Sequence, residues 1–190
     1  MLFAFIRVHF RTEFIFNILF EGLIMSTPFV AVLMGSDSDL KTMKGCINVL
    51  KGFGIQHEVK ITSAHRTPAA THAYVNDAEA RGCAVFIAAA GLAAHLAGAV
   101  AGLTTKPVIG VPMDAGPLDG LDALLSTVMM PGGIPVASVA IGSAGAKNAG
   151  YLAAQILGTA DPEMAAKVKA DREAMAADVA AKDAAVQKEL

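Results

Sequence analysis

The chain has no tryptophan and only two tyrosines, and aromatic residues make up 6% of its 190 positions. A flavin-dependent electron carrier needs aromatic flanks for its ring, and no loop expected at a strand end supplies Trp or Tyr. Cysteine is nearly absent as well. Cys46 and Cys83 form neither a CxxC pair nor a Cys/His cluster, which argues against a metal site. Both fall on apolar faces and read as small buried hydrophobes in a reducing compartment. Charge is sparse and balanced, with 15 Lys and Arg against 17 Asp and Glu and a net of -2. Nothing here forms a basic footprint for nucleic acid or an anionic membrane. There is no GxGxxG and no phosphate loop ending in Lys, so ATP is not indicated.

Long hydrophobic runs are missing too. The uncharged stretch from Phe14 to Phe20 is far shorter than the roughly 20 residues a bilayer span requires. Residues 1–25 nonetheless differ from the rest in being rich in Phe, Ile and Leu, and they lack a clear signal-peptide cleavage site. Met25 precedes Ser-Thr-Pro and the first good strand. It reads as the natural start, the leader then being a start-site misassignment. The alternative is an amphipathic arm lying on a membrane.

What is abundant is Ala and Gly. Hydrophobic residues make up 54% of the chain, and so many small residues among them and beside them predict close helix–sheet packing and buried subunit contacts. The length suits one domain with extra segments. Residues 26–160 form an α/β domain and 161–190 a C-terminal helical extension. Within the domain, strands are expected at Phe29–Met34, His57–Ile61, Ala84–Ala88, Val108–Val111 and Val136–Ile141. Helices are expected from Leu40 to Leu50, Thr67-Pro68 to Arg81, Ala93 to Leu103, Leu121 to Val128 and Ala144 to Leu157. Thr67 is the expected cap of its helix, with Pro68 in the first turn. Strict alternation means a parallel sheet with right-handed crossovers, hence a three-layer α/β sandwich, flavodoxin-like or Rossmann-like. In the extension, Met164, Val168, Met175, Val179 and Val186 form a thin apolar stripe. Such a helix is marginal alone, so it docks on a neighbouring subunit or frays.

Two strand-end loops carry the polar chemistry: GSDSD from Gly35 and SAHRTP from Ser63. In an open parallel sheet they lie side by side on the carboxyl rim. Gly35 permits a tight turn whose N–H groups open a helix, a natural anion site, and Ser36 and Ser38 add hydroxyls. Asp39 has two readings, acceptor for a sugar hydroxyl or helix cap, and capping fits one of Asp37 and Asp39. His65 and Arg66 are not needed for a helix start. Arg offers a fork for phosphate or carboxylate, and His moves a proton near neutral pH. His57 and His72 read as strand and helix surface. The loop from Ala88 to Gly98 brings small residues, which let a ligand approach backbone closely. It also carries His95, which either lines the pocket or supports packing. Met113–Asp119 is a candidate lid, and Met129–Gly133 a connector.

In this order and spacing, GSDSD, SAHRTP, AAHLAG, PVIGVP, MPGGIPV and AKNAGYLAAQIL resemble the PurE family over about Phe29 to Leu157. These are the N5-carboxyaminoimidazole ribonucleotide mutases of purine biosynthesis. The resemblance implies a flavodoxin-like sandwich, a cytoplasmic homo-octamer, and a reaction without cofactor or metal. That reaction moves a carboxylate from the exocyclic nitrogen to C4 of the imidazole. By position it implies that Ser36, Asp39 and Arg66 bind the nucleotide and that His65 is the general acid/base. It also implies that His95 and the loop from Ala88 form the substrate and CO2 pocket, with Ser63, Ala90, Gly91 and Leu96 among the binding residues. Departures exist. Ala89, Leu92 and Ala97 stand where the commonest family pattern, GAGGAAHLPG, has Gly, Gly and Pro, and Met129 stands where Gln is common. A family branch that carboxylates aminoimidazole ribonucleotide directly with CO2 tends to carry Lys after the His and lacks AAHL, so Arg66 and His95 favour the mutase. A non-catalytic, receiver-like nucleotide module would leave SAHRTP unexplained, and Lys147 lies too far past Ile141 to serve it.

Overall fold

The computed structural model describes residues 27–190, and the readings of the leader lie outside them. Every residue of β1 (Phe29–Met34) is buried. Its side chains alternate between two cores: Val30, Val32 and Met34 enter one, and Phe29, Ala31 and Leu33 the other. That is the period of two of a strand covered on both faces. Helix α1 (Leu40–Gly52) feeds Met43, Cys46 and Leu50 into the first core. After β2 (His57–Ile61), α2 (Pro68–Ala80) feeds Val75 and Ala78 into the second. The chain continues through β3 (Cys83–Ala90), α3 (Leu96–Ala101), β4 (Val108–Pro112), α4 (Leu121–Val128), β5 (Ala137–Ser138) and α5 (Gly142–Gly158). It ends in α6 (Pro162–Gln187).

The five strands pair in parallel in the order β2-β1-β3-β4-β5. Helices α1 and α5 pack on one face and α2 and α3 on the other. This is the expected three-layer, flavodoxin-like sandwich. Both cysteines are buried, and desolvation pushes the Cys46 thiol up to about 12 and Cys83 to about 11.

Three expectations are corrected. β5 is two residues long rather than six, because it is an edge strand and the chain must already turn at Gly142 (φ 69) to enter α5. Helix α3 starts at Leu96 rather than Ala93, because Leu92 (φ 55) is left-handed and the backbone is still turning. Thr67 occupies the cap position of α2, but its hydroxyl makes no capping bond. In α6, the Asp161 carboxylate accepts from the N–H groups of Glu163 (2.9 Å) and Met164 (3.2 Å). Met164 and Val168 then join the first core, while Met175, Val179 and Val186 further along are exposed. No helix among the described residues is long and apolar enough to cross a membrane.

Candidate active site

Strand register sets the rim. Met34 is level with Ile61 of β2 and Ala89 of β3, so the loops that follow emerge together. Between β1 and β3 the connections diverge to opposite faces, α1 to one and α3 to the other. That divergence opens a crevice at the carboxyl ends.

The first loop is a 3-10 turn, Asp37–Asp39, closed by a capping box. The Ser36 hydroxyl accepts from the Ser38 N–H (3.3 Å), and Asp39 Oδ2 accepts from the Ser36 N–H (3.2 Å). Ser38 Oγ donates to Ser36 Oγ (2.9 Å), which donates to Asp37 Oδ1 (3.1 Å). The cap of this turn is Ser36, with Asp39 as its reciprocal partner three residues on. At the start of α1 Asp39 makes no side-chain capping bond, so the reading of an aspartate as the cap of that helix is corrected. Asp39 is 8% exposed, and burial raises its carboxyl above the usual range against the opposing bonds from Ser36 and Ser38.

In the second loop the Thr67 hydroxyl turns back to Ser63, accepting from its N–H (2.9 Å) and donating to its carbonyl (3.1 Å). Ser63 Oγ accepts from the Arg66 N–H (3.2 Å). This knot projects His65 and Arg66 outward, where both are exposed. Arg66 Nη2 reaches the Gly35 carbonyl (3.4 Å) and bridges the two loops. Beneath them, Thr62 and Thr71 join hydroxyls at 2.7 Å in a buried contact.

From the third loop His95 meets His65. Nδ1 of His95 lies 2.8 Å from Nε2 of His65, with the rings edge to face at 85°. One ring must donate and the other accept, so the bond holds a single proton between two bases. Of the two readings for His95, the structure takes the pocket. Leu96 is buried in the second core and shows an edge to the cleft.

The resulting open cleft is about 530 Å³. It brings together Ser36, Asp39, Ser63, His65, Arg66, Ala90, Gly91, His95 and Leu96, all nine residues singled out by sequence. It also contains Leu92 and Ala115, neither of which the sequence assigned a role in binding. The lid reading of Met113–Asp119 was the only signal toward Ala115, and Leu92 was visible only as a departure. His57, His72 and the Met129–Gly133 turn do not reach it. The chemistry on offer is a hydroxyl-lined turn, one guanidinium, a buried carboxylate, two joined imidazoles and a wall of small apolar groups.

The chain is similar to known proteins in sequence and in fold. The family model described as AIR carboxylase matches residues 29–178. The N5-carboxyaminoimidazole ribonucleotide mutase of Thermotoga maritima is 55% identical over 152 residues, 80% of this chain and 88% of that protein. The protein of that name from Bacillus subtilis is 51% identical over 146 residues, 77% of this chain and 90% of that one. Among solved structures, Treponema denticola PurE superposes with a TM-score of 0.76 at 34% identity, covering 83% of this chain and 97% of that one.

Proposed function

The chain belongs to the AIR carboxylase family, and on that premise we propose that its cleft converts N5-carboxyaminoimidazole ribonucleotide into 4-carboxy-5-aminoimidazole ribonucleotide in purine biosynthesis. The enzyme is an isomerase. The observation that carries the site assignment is the His65–His95 pair, held at 2.8 Å beside Arg66 and the serine turn.

The chemistry needs one proton moved and one small molecule kept. The N–C bond breaks, the nitrogen takes a proton and CO2 is left beside the ring. C4 then bonds that CO2 and gives up its own proton. Protons balance, so one group that accepts at C4 and donates at nitrogen is enough. His65 takes that role, with His95 orienting it and sharing the proton. Arg66 binds the phosphate through its fork, giving up its long contact to the Gly35 carbonyl, and Ser36 and Ser38 add hydroxyls. Asp39 accepts from a ribose hydroxyl, which offsets the cost of its burial. Ser63 and Arg66 are tied to one another, which holds the phosphate ligand in place. Ala90, Gly91 and Leu96 supply an apolar wall that excludes water from transient CO2.

The protein works as a homo-oligomer in the cytoplasm, and the octamer is the assembly we assign. The support is the exposed apolar stripes Leu121–Leu125–Val128 on α4 and Met175–Val179–Val186 on α6, together with two free, buried cysteines. The deciding assay mixes pure protein with N5-carboxyaminoimidazole ribonucleotide without ATP and follows the C4-carboxylated product. Wild type forms it, and His65→Asn slows turnover by about 10²–10⁴-fold. No product from wild type overturns the reaction. A His65→Asn enzyme with more than half the wild-type rate overturns the role of His65.

A further inference from the structure

Leu92 occupies a position that the commonest family pattern fills with Gly, and its backbone shows why Gly suits it. It lies at φ 55, in the left-handed region. A leucine there gains nothing from local hydrogen bonding, unlike Asn or Asp. It is 52% exposed and belongs to neither core, so core packing does not hold it in place.

What Leu92 touches is the loop between β4 and α4. Gly116 (φ 79) has its Cα face covered by Leu92 Cδ2, and a Cβ added there would overlap that methyl. The same two loops meet twice more. A Cβ on Gly91 would lie 3.0 Å from Ala115 Cβ and 3.4 Å from Met113 Cβ, and the Met113 N–H donates to the Ala90 carbonyl (2.9 Å). Gly91, Leu92 and Ala115 all line the cleft. The arrangement is a seam of three contacts along the cleft's apolar side, with one strained side chain seated in a glycine notch at its outer end.

We propose that Leu92 is a positioning residue, a clasp that holds the 113–119 loop against the cleft wall so that CO2 recombines with C4 instead of escaping. The inference rests on the mutase reading above. In the escape branch the N–C bond breaks, the nitrogen takes a proton, and CO2 leaves to water with aminoimidazole ribonucleotide as the other product. In the productive branch C4 captures CO2 and loses its proton. Strain retained at a site of this kind is the pattern expected where function opposes stability.

The experiment measures partition: aminoimidazole ribonucleotide formed against C4-carboxylated product, per substrate consumed, with the enzyme-free rate subtracted. Leu92→Gly shifts partition several-fold toward escape, while its melting temperature is equal to or above wild type because the left-handed strain is relieved. Leu92→Met keeps the wild-type partition. Gly116→Ala, whose new methyl displaces the clasp, leaks as Leu92→Gly does. The double variant leaks no more than either single, the non-additivity of two groups in one contact. If wild type forms the carboxylated product and Leu92→Gly partitions like it, the clasp is wrong and the mutase reading stands. If Leu92→Gly leaks but also melts lower, Leu92 is ordinary packing and the clasp is wrong. If wild type forms no carboxylated product, the mutase reading fails and the clasp fails with it.

Discussion

Asp39 shows how one side chain serves local structure and ligand chemistry at once. Its carboxylate closes the turn on the Ser36 N–H while sitting almost out of water. Burial raises its pKa above the ordinary 3.8, so across that interval the folded state holds a proton the unfolded chain has released. Stability from this group is present below pH 3.8 and is lost as pH rises through the raised value. Asp39→Asn keeps an oxygen to accept from Ser36 but carries no charge. Melting temperature followed from about pH 3 to pH 7 falls back more for wild type than for the variant. Identical profiles would mean that the buried carboxylate costs nothing. The sequence suggested an aspartate of GSDSD as the helix cap, but Ser36 caps the turn and Asp39 answers it from three residues on, because the turn folds that carboxyl inward onto the Ser36 N–H instead of onto the N–H groups of α1. Thr67 illustrates the same point. Thr-Pro reads as a cap, yet its hydroxyl had another partner four residues back, and only the loop's closure at Ser63 decides between them.

Among elements, those with an unambiguous period were legible from sequence. β1, β2 and α4 have the bounds the pattern predicts, because the continuous apolar run of β1, the Val59/Ile61 alternation of β2 and the helical spacing of α4 each leave one reading. β5 and α3 were overextended, since a left-handed residue or an edge position cuts an element short without changing its composition. Helix packing turns on glycines in the same way. A Cβ on Gly150 of α5 would lie 2.9 Å from Val49 Cβ and 3.1 Å from the Cys46 carbonyl of α1, contacts with branch-point and backbone atoms that cannot swing aside. Gly52, at the end of α1, has nothing within 4 Å. The two substitutions to Ala therefore carry opposite signs. Gly52→Ala gains about 0.5–1 kcal/mol of helix preference. Gly150→Ala gains the same preference but overpacks the α1–α5 contact at about 1–3 kcal/mol, so it is net destabilising. Denaturant melts of both variants check this, and a stabilised Gly150→Ala would show that α1 yields freely.

At the scale of the whole molecule, α6 poses a question that one chain does not answer. A helix of 26 residues is about 39 Å long, and its apolar stripe runs past the body it starts on. Met164 is 8% exposed and packs in the first core with Val168, whereas Met175, Val179 and Val186 are 47%, 65% and 52% exposed along the same helix. Ion pairs at Lys167–Glu163 and Lys182–Asp178 steady the helix, but exposed pairs of this kind contribute little. A narrow stripe held by such pairs gains its stability from a second surface. In a closed assembly one such contact recurs in every subunit. Stopping the chain after Arg172 separates the two halves of the helix, keeping Met164 and Val168 in the core and deleting the exposed stripe. The expected outcome is a folded protein, its circular dichroism lowered only by the deleted helical residues, whose mass by light scattering corresponds to fewer subunits than that of the full chain. Its melting temperature falls too, and depends less on protein concentration. Should the shortened protein keep the full assembly and its thermal stability, the outer half of α6 is an appendage, and the contacts that join subunits lie elsewhere, with the exposed face of α4 next in line.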